Sequence, residues 1–222
     1  GRRIRTMDRS AAVGFIRGKT VMITGAGGSI GSEIVRQVAI ASPKLVLMVE
    51  RGENALYEID REIRQVFPGA DVKSLMIDIN NLDRIEAVFA AYRPEIVLHA
   101  AAYKHVPMVE QNPVDGLRNN FSASLLMASL SVEYGVDKFV LISTDKAVNP
   151  VSIMGCTKRL AEIYGEKAAE RRVCDAFDFE NVHLEGVKLQ KGVNKVLLRL
   201  TQVNDDAKYS LTFTRRATCG VH

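Results

Sequence analysis

Val21-Met-Ile-Thr-Gly-Ala-Gly-Gly-Ser-Ile-Gly31 runs from an apolar strand through a glycine turn into helix-like sequence. The spacing Gly25-x-x-Gly28-x-x-Gly31, with Gly27 inside it, is that of a strand-to-helix turn holding a dinucleotide pyrophosphate. Gly25 allows the sharp turn, Gly28 lets backbone approach the phosphates, and Gly31 lets the helix pack against the strand. Ser29 and Ile30 open a helix expected over 29–41, whose first N–H groups face the phosphates. A second apolar strand follows over 44–50 and ends in a carboxylate, Glu50, where an acid binding the adenosine ribose belongs. Arg51 beside it is suited to a 2′-phosphate, so these two residues leave NAD and NADP both open.

Apolar strands then alternate with helical patterns: a strand over 72–79, a helix over 82–92, a strand over 95–100, a helix over 114–134 and a strand over 138–143. This order predicts an α/β fold, a doubly wound parallel sheet covered on both faces, with ligands at the carboxyl ends of the strands. Asp78 and Ile79 end one strand, and Asp78 is placed to meet an adenine edge. His99-Ala-Ala-Ala102 closes another. Small side chains at Ala100, Ala101 and Ala102 suit backbone lying against a cofactor, whereas His99 inside an apolar strand reads as a satisfied core residue.

The chain has 222 residues, 47% hydrophobic and 25% charged, enough for one good core and a small second lobe. No apolar run approaches the roughly 18 residues that cross a bilayer, no signal-peptide pattern opens the chain, and the cysteines Cys156, Cys174 and Cys219 form no CxxC pair. A cytoplasmic setting follows from these features. His105 lacks companion ligands, so no metal is expected. The formal charge of +4 is uneven. Residues 1–19 carry Arg2, Arg3, Arg5, Arg9, Arg17 and Lys19 against Asp8 alone, which suggests a leader that lies on an anionic membrane surface or links to an upstream domain. The basic residues lack interleaved aromatics and the rest of the chain is close to neutral, so nucleic acid is not the expected partner. The organisation read from this is a basic leader or linker over 1–18, an NAD(P)-binding Rossmann domain over 19–172, and a divergent tail or partial substrate lobe over 173–222.

The chemistry-bearing stretch is Leu141-Ile-Ser-Thr-Asp-Lys-Ala-Val-Asn-Pro-Val-Ser-Ile-Met-Gly-Cys-Thr-Lys-Arg-Leu-Ala-Glu162. With the glycine turn through Glu33 and with His99-Ala-Ala-Ala-Tyr-Lys-His-Val-Pro-Met-Val-Glu110, it resembles the extended short-chain dehydrogenase/reductases of polysaccharide biosynthesis. Among these it is most similar to the UDP-N-acetylglucosamine 4,6-dehydratases that invert C5. The resemblance spans roughly residues 18–172 and implies an NAD(P)-dependent lyase: hydride taken from C4 of the sugar, water lost across C5 and C6, hydride returned to C6.

By that match Asp145 protonates the departing C6 hydroxyl, Lys146 removes the C5 proton and Thr144 bonds the C4 oxygen. A C5 proton becomes acidic only once C4 is a ketone, and a desolvated lysine can act as base. The Tyr-x-x-x-Lys pair of the broad superfamily appears as Met154-Gly-Cys-Thr-Lys158, as in the membrane-associated, capsule-type branch. Met154 cannot accept the C4 hydroxyl proton, which leaves Lys146 or water held by Thr144, while Lys158 binds the nicotinamide ribose. The resemblance further implies a cofactor-positioning role for Asn120 and substrate contacts for Lys104, His105 and Asn181. It also implies a UDP-sugar substrate, a membrane-anchored domain upstream that would place the enzyme at the inner membrane face, and homo-oligomers formed through the helix after Met154. Beyond about Arg172 the family motifs fade, with Phe179-Glu-Asn-Val182 where Arg-Phe-Gly-Asn-Val is expected and a strand over 196–200. A nucleotide-sugar 4-epimerase is disfavoured by Met154. A noncatalytic dinucleotide-binding fragment is the other alternative.

Overall fold

The computed structural model describes residues 9–170, 188–189, 194–202 and 209–215, with side chains over 13–164. Residues 1–8 of the basic leader, Asn181 and the 179–182 segment lie outside the described residues. The described residues fall into two compact units, one drawn from Gly1–Ala102 and Leu126–Ile142, the other from Tyr103–Leu125 and Ser143–His222.

The first unit contains a five-stranded, wholly parallel sheet made of β1 (Thr20–Thr24), β2 (Leu45–Glu50), β3 (Val72–Met76), β4 (Ile96–His99) and β5 (Lys138–Leu141), in the order β3-β2-β1-β4-β5. Order reverses beside β1, and a doubly wound sheet binds its ligand outside the strand ends at that switch point. The apolar run of β1 is buried along its whole length, as expected for a central strand covered on both faces. After α1 (Arg9–Ile16), the connections carry α2 (Ser29–Ile40), α3 (Glu53–Val66) and α4 (Leu82–Tyr92). Val35 and Val38 of α2 and Leu56, Ile59 and Ile63 of α3 join Val21, Ile23, Val46 and Met48 in one core cluster, the inward stripe of two amphipathic helices. At the amino ends of the strands, Lys19 bridges Asp137 at 2.6 Å and Glu95 at 3.3 Å, tying β1, β4 and β5 at the edge away from the ligand side.

In the second unit, α5 (Val106–Gln111), α6 (Pro113–Leu117), a π-helical turn (Arg118–Ser122), a 3-10 turn (Asp145–Ala147) and α8 (Ile153–Glu170) follow the carboxyl ends of β4 and β5 in sequence. A three-stranded antiparallel sheet, β6 (Lys188–Leu189), β7 (Asn194–Gln202) and β8 (Tyr209–Arg215), includes the expected strand over 196–200. The helix expected over 114–134 is present as an unbroken helical run in which the π turn stands between α6 and α7 (Ala123–Glu133). Strands β3 and β5 stop short of the expected ends. Asp78 lies two residues past β3, where its Oδ1 accepts the backbone N–H and the side-chain amide of Asn80, both at 2.9 Å. That local turn competes with ladder pairing.

Candidate active site

Gly25 adopts φ +67°, and a Cβ there would lie 2.7 Å from the N and Cα of Ala101. The glycine turn and the alanines after β4 are therefore pressed together. A Cβ on Gly31 would overlap the Gly25 carbonyl, so helix and turn meet at a distance only glycine permits. The first α-helical bond of α2 runs from Ser32 N–H to the Gly28 carbonyl at 2.8 Å. The N–H groups of Ile30 and Gly31 precede it at the positive end of the helix, with no side-chain cap and no acid in the first turn. That end fits a phosphate.

The Glu50 carboxylate is fixed by backbone donors: Oε1 accepts from Arg51 N–H at 2.9 Å and Gly52 N–H at 3.0 Å, and Oε2 from Gly27 N–H at 3.3 Å. The acid of β2 is thus joined to the glycine turn itself. The residues present fit a dinucleotide in three ways: a glycine turn without side chains, an uncapped helix end and an anchored acid. Thr24, which the motif reading did not single out, sits fully buried beneath this turn. Its hydroxyl lies 2.6 Å from His99 Nδ1 and accepts the Ala101 N–H at 3.4 Å. His99 is buried and stacks on Phe139, the core role its position suggested. A threonine closing a buried strand directly before Gly25 was the available signal.

In the second unit the Thr144 hydroxyl donates to Asp145 Oδ1 at 3.0 Å and accepts the Lys146 N–H at 3.4 Å. Lys146 Nζ lies 3.5 Å from Asp145 Oδ1, with side-chain exposures of 56% and 90%. The Thr144 hydroxyl, then the Lys146 charge, hold the Asp145 carboxyl below its usual range. An ion pair this exposed adds little stability. Met154 and Lys158 are both buried on α8. Burial pushes the Lys158 ammonium below the ordinary lysine range, opposed by the Glu162 charge.

Lys104 and His105 are exposed ahead of α5. The buried Asn120 sits in the π turn, where its side chain accepts from Tyr103 N–H at 2.7 Å and Asn119 Nδ2 at 3.3 Å. It donates to the Tyr103 carbonyl at 2.9 Å and to Thr157 Oγ1 at 3.1 Å. Two donors and two acceptor positions are the whole capacity of an amide, so Asn120 is occupied in joining the Tyr103 segment to α8. Thr157 and Glu110, whose Oε1 accepts the Ile153 N–H at 2.7 Å at the start of α8, are further members of this arrangement. They lie inside quoted motifs, but only their partners reveal what they hold.

The profile of the family described as polysaccharide biosynthesis protein matches residues 21–189. The chain belongs to this family. A probable polysaccharide biosynthesis protein, EpsC, of Bacillus subtilis is 43% identical over 164 residues, 73% of this chain and 27% of that protein. A UDP-N-acetylglucosamine 4,6-dehydratase (inverting) of Campylobacter jejuni is 31% identical over 145 residues, 65% of this chain and 42% of that one. This member of the polysaccharide biosynthesis family therefore spans well under half the length of either relative. Among solved structures, a UDP-glucose 4-epimerase with UDP-glucose from Thermotoga maritima superposes with a TM-score of 0.60 at 25% identity, over 69% of this chain and 52% of that one. The fold is the Rossmann type of the short-chain dehydrogenase/reductases.

Proposed function

We propose that this chain is the cofactor-binding and catalytic part of an NAD-dependent 4,6-dehydratase acting on a UDP-N-acetylhexosamine, with UDP-N-acetylglucosamine the preferred substrate. The observation that carries this reading is the turn Thr144-Asp145-Lys146, which sets a carboxylate, an amine and a hydroxyl side by side. Elimination across C5 and C6 needs both an acid and a base. A 4-epimerase needs an acid–base group only at C4, and the buried thioether of Met154 cannot serve there. The likeness to the Campylobacter dehydratase supports the substrate class.

Bound NAD supplies the hydride acceptor for C4 and the donor for C6. The chain's own residues do the rest. The Ile30 and Gly31 N–H groups hold the pyrophosphate, Glu50 the adenosine ribose, Asp78 the adenine edge and Lys158 the nicotinamide ribose. Thr144 turns its hydroxyl to the C4 oxygen, and the C4 proton leaves to water held by Thr144, or to Lys146, which must then pass it to solvent before it can act as base at C5. With C4 a ketone, Lys146 Nζ removes the C5 proton and the electron pair expels the C6 hydroxyl, which departs as water with a proton from Asp145. Lys146 then returns a proton to C5 as hydride arrives at C6. Asp145 is an exposed anion in the free chain, so the sugar must strip water from it and raise its pKa before it can carry that proton. NAD is preferred to NADP because a Glu50 carboxylate pinned by three backbone donors opposes a 2′-phosphate.

A proton NMR time course of the chain with UDP-N-acetylglucosamine and NAD in deuterated water tests the reading. The expected result is a new 6-methyl signal with solvent deuterium at C5, lost in Lys146→Ala. Unchanged sugar signals with cofactor binding retained would overturn it and leave a noncatalytic dinucleotide-binding module.

A further inference from the structure

The reaction turn begins at Ser143, whose exposed hydroxyl is not left to solvent. It donates to Glu162 Oε1 at 2.5 Å, a partner 19 residues away on α8. The other carboxylate oxygen, Oε2, accepts from Arg159 at 2.8 Å, so Glu162 is held by a guanidinium one turn earlier on its own helix. Its side chain is 25% exposed. A hydroxyl donating to a carboxylate is a charge-assisted bond, and its partner 19 residues away ties the start of the turn to α8. The far end of the turn is held as well. The Lys146 carbonyl lies so close to Gly155 that a Cβ there would overlap it, with Pro150 Cβ at 3.1 Å and Ser152 Oγ at 3.2 Å completing the contact. Between these two fixed points stand Thr144, Asp145 and Lys146.

We infer that Glu162 is a positioning residue: through Ser143, and with its own rotamer set by Arg159, it fixes the Thr144-Asp145-Lys146 turn on α8 so that acid and base keep one mutual geometry. Its consequence for turnover rests on the dehydratase reading above, whereas the anchor itself does not. Apart from Ser143, Glu162 reaches the groups placed in the chemistry through its charge on Lys158, so Ser143→Ala is the variant that removes the anchor alone. Small misplacements of acid–base groups cost rate far out of proportion to their size.

The test uses Ser143→Ala, Glu162→Ala, the double variant and Ser143→Thr. Two amides report on the turn directly, Ala147 N–H to the Thr144 carbonyl at 3.1 Å and Val148 N–H to the Asp145 carbonyl at 3.0 Å. Expected are hydrogen exchange of these two amides about tenfold faster in Ser143→Ala and in Glu162→Ala, no further increase in the double variant, and wild-type exchange in Ser143→Thr, which keeps the hydroxyl. With UDP-N-acetylglucosamine, kcat falls about tenfold in each single variant, the Kd for NAD is unchanged in Ser143→Ala, and Ser143→Thr restores kcat. Retained NAD affinity separates loss of the anchor from loss of the fold. Equal exchange in wild type and variants, or effects that add in the double variant, would overturn the inference. If no form of the chain converts the sugar, the dehydratase reading fails and amide exchange alone decides the anchor.

Discussion

Lys158 is the residue where folding and function pull in opposite directions. A lysine buried on α8 and pushed below the ordinary 10.5 is expensive to keep charged, and the Glu162 charge offsets only part of that cost. Between its depressed value and 10.5 the unfolded chain holds a proton that the folded chain has released, so through that window this residue makes stability rise with pH. Below the window both states are protonated, and the burial cost of the charge is borne in full. Lys158→Met should therefore be at least as stable as wild type at pH 7. Wild type should gain on it as pH rises toward 10, while the variant loses nicotinamide-dependent turnover. Urea unfolding of both proteins across that pH range checks the sign, and a wild type that loses ground with rising pH would refute it. Position 154 carries the complementary lesson: a buried methionine packs there where a tyrosine would have to be hydrogen-bonded, and on the proposed reading this leaves the acid–base work to the turn.

Among the elements, the π turn at Arg118–Ser122 was hidden from the sequence. A run such as Asn119-Asn-Phe-Ser-Ala-Ser-Leu-Leu-Met127 reads as helix because its apolar spacing is helical, and nothing local records the extra residue in the turn. The cause is tertiary: Tyr103 and Thr157, 17 and 37 residues from Asn120, take up its side-chain amide. Insertions of this kind cluster at functional sites, and here one aims an asparagine at two segments that each carry expected site residues. Asn120→Ala would leave the Tyr103 N–H and carbonyl and the Thr157 hydroxyl without this partner, a loss of about 2–4 kcal/mol for a buried set. Calorimetric melting should show a lower midpoint, and an unchanged midpoint would show that the network contributes nothing. The strands, by contrast, were legible. Val21, Met22 and Ile23 are wholly buried on both faces of a parallel sheet, so their sequence is a continuous apolar run. Their ends were less so, because β3 stops where Asp78 bonds to Asn80 and not where hydrophobicity fades.

Over the whole molecule, the glycine turn, the helix start and the strand-end acid could be read from sequence because each is local, all within Gly25–Glu50. The catalytic half could be read only as a resemblance, since the roles of Ser143, Glu110, Thr157 and Glu162 depend on partners brought together by folding. No helix among the described residues is long and apolar enough to cross a membrane. Ligand linkage gives a test at this scale. Saturation at about 100 times Kd stabilises a binding fold by about 2.7 kcal/mol, which is a rise of about 5–10 °C for a domain of this size. NAD should produce this rise at lower concentration than NADP, and Glu50→Gln should narrow the difference. Equal responses to the two cofactors would remove Glu50 from the choice between them.

The most direct test of the central claim follows one atom. UDP-N-acetylglucosamine deuterated at C4 is given to the chain with a catalytic amount of NAD, and the product is read by deuterium and proton NMR. A 4,6-dehydratase carries the label from C4 to C6, giving a CH2D group on a 4-keto sugar. Deuterium found again at C4, on unchanged or epimerised sugar, would contradict the account.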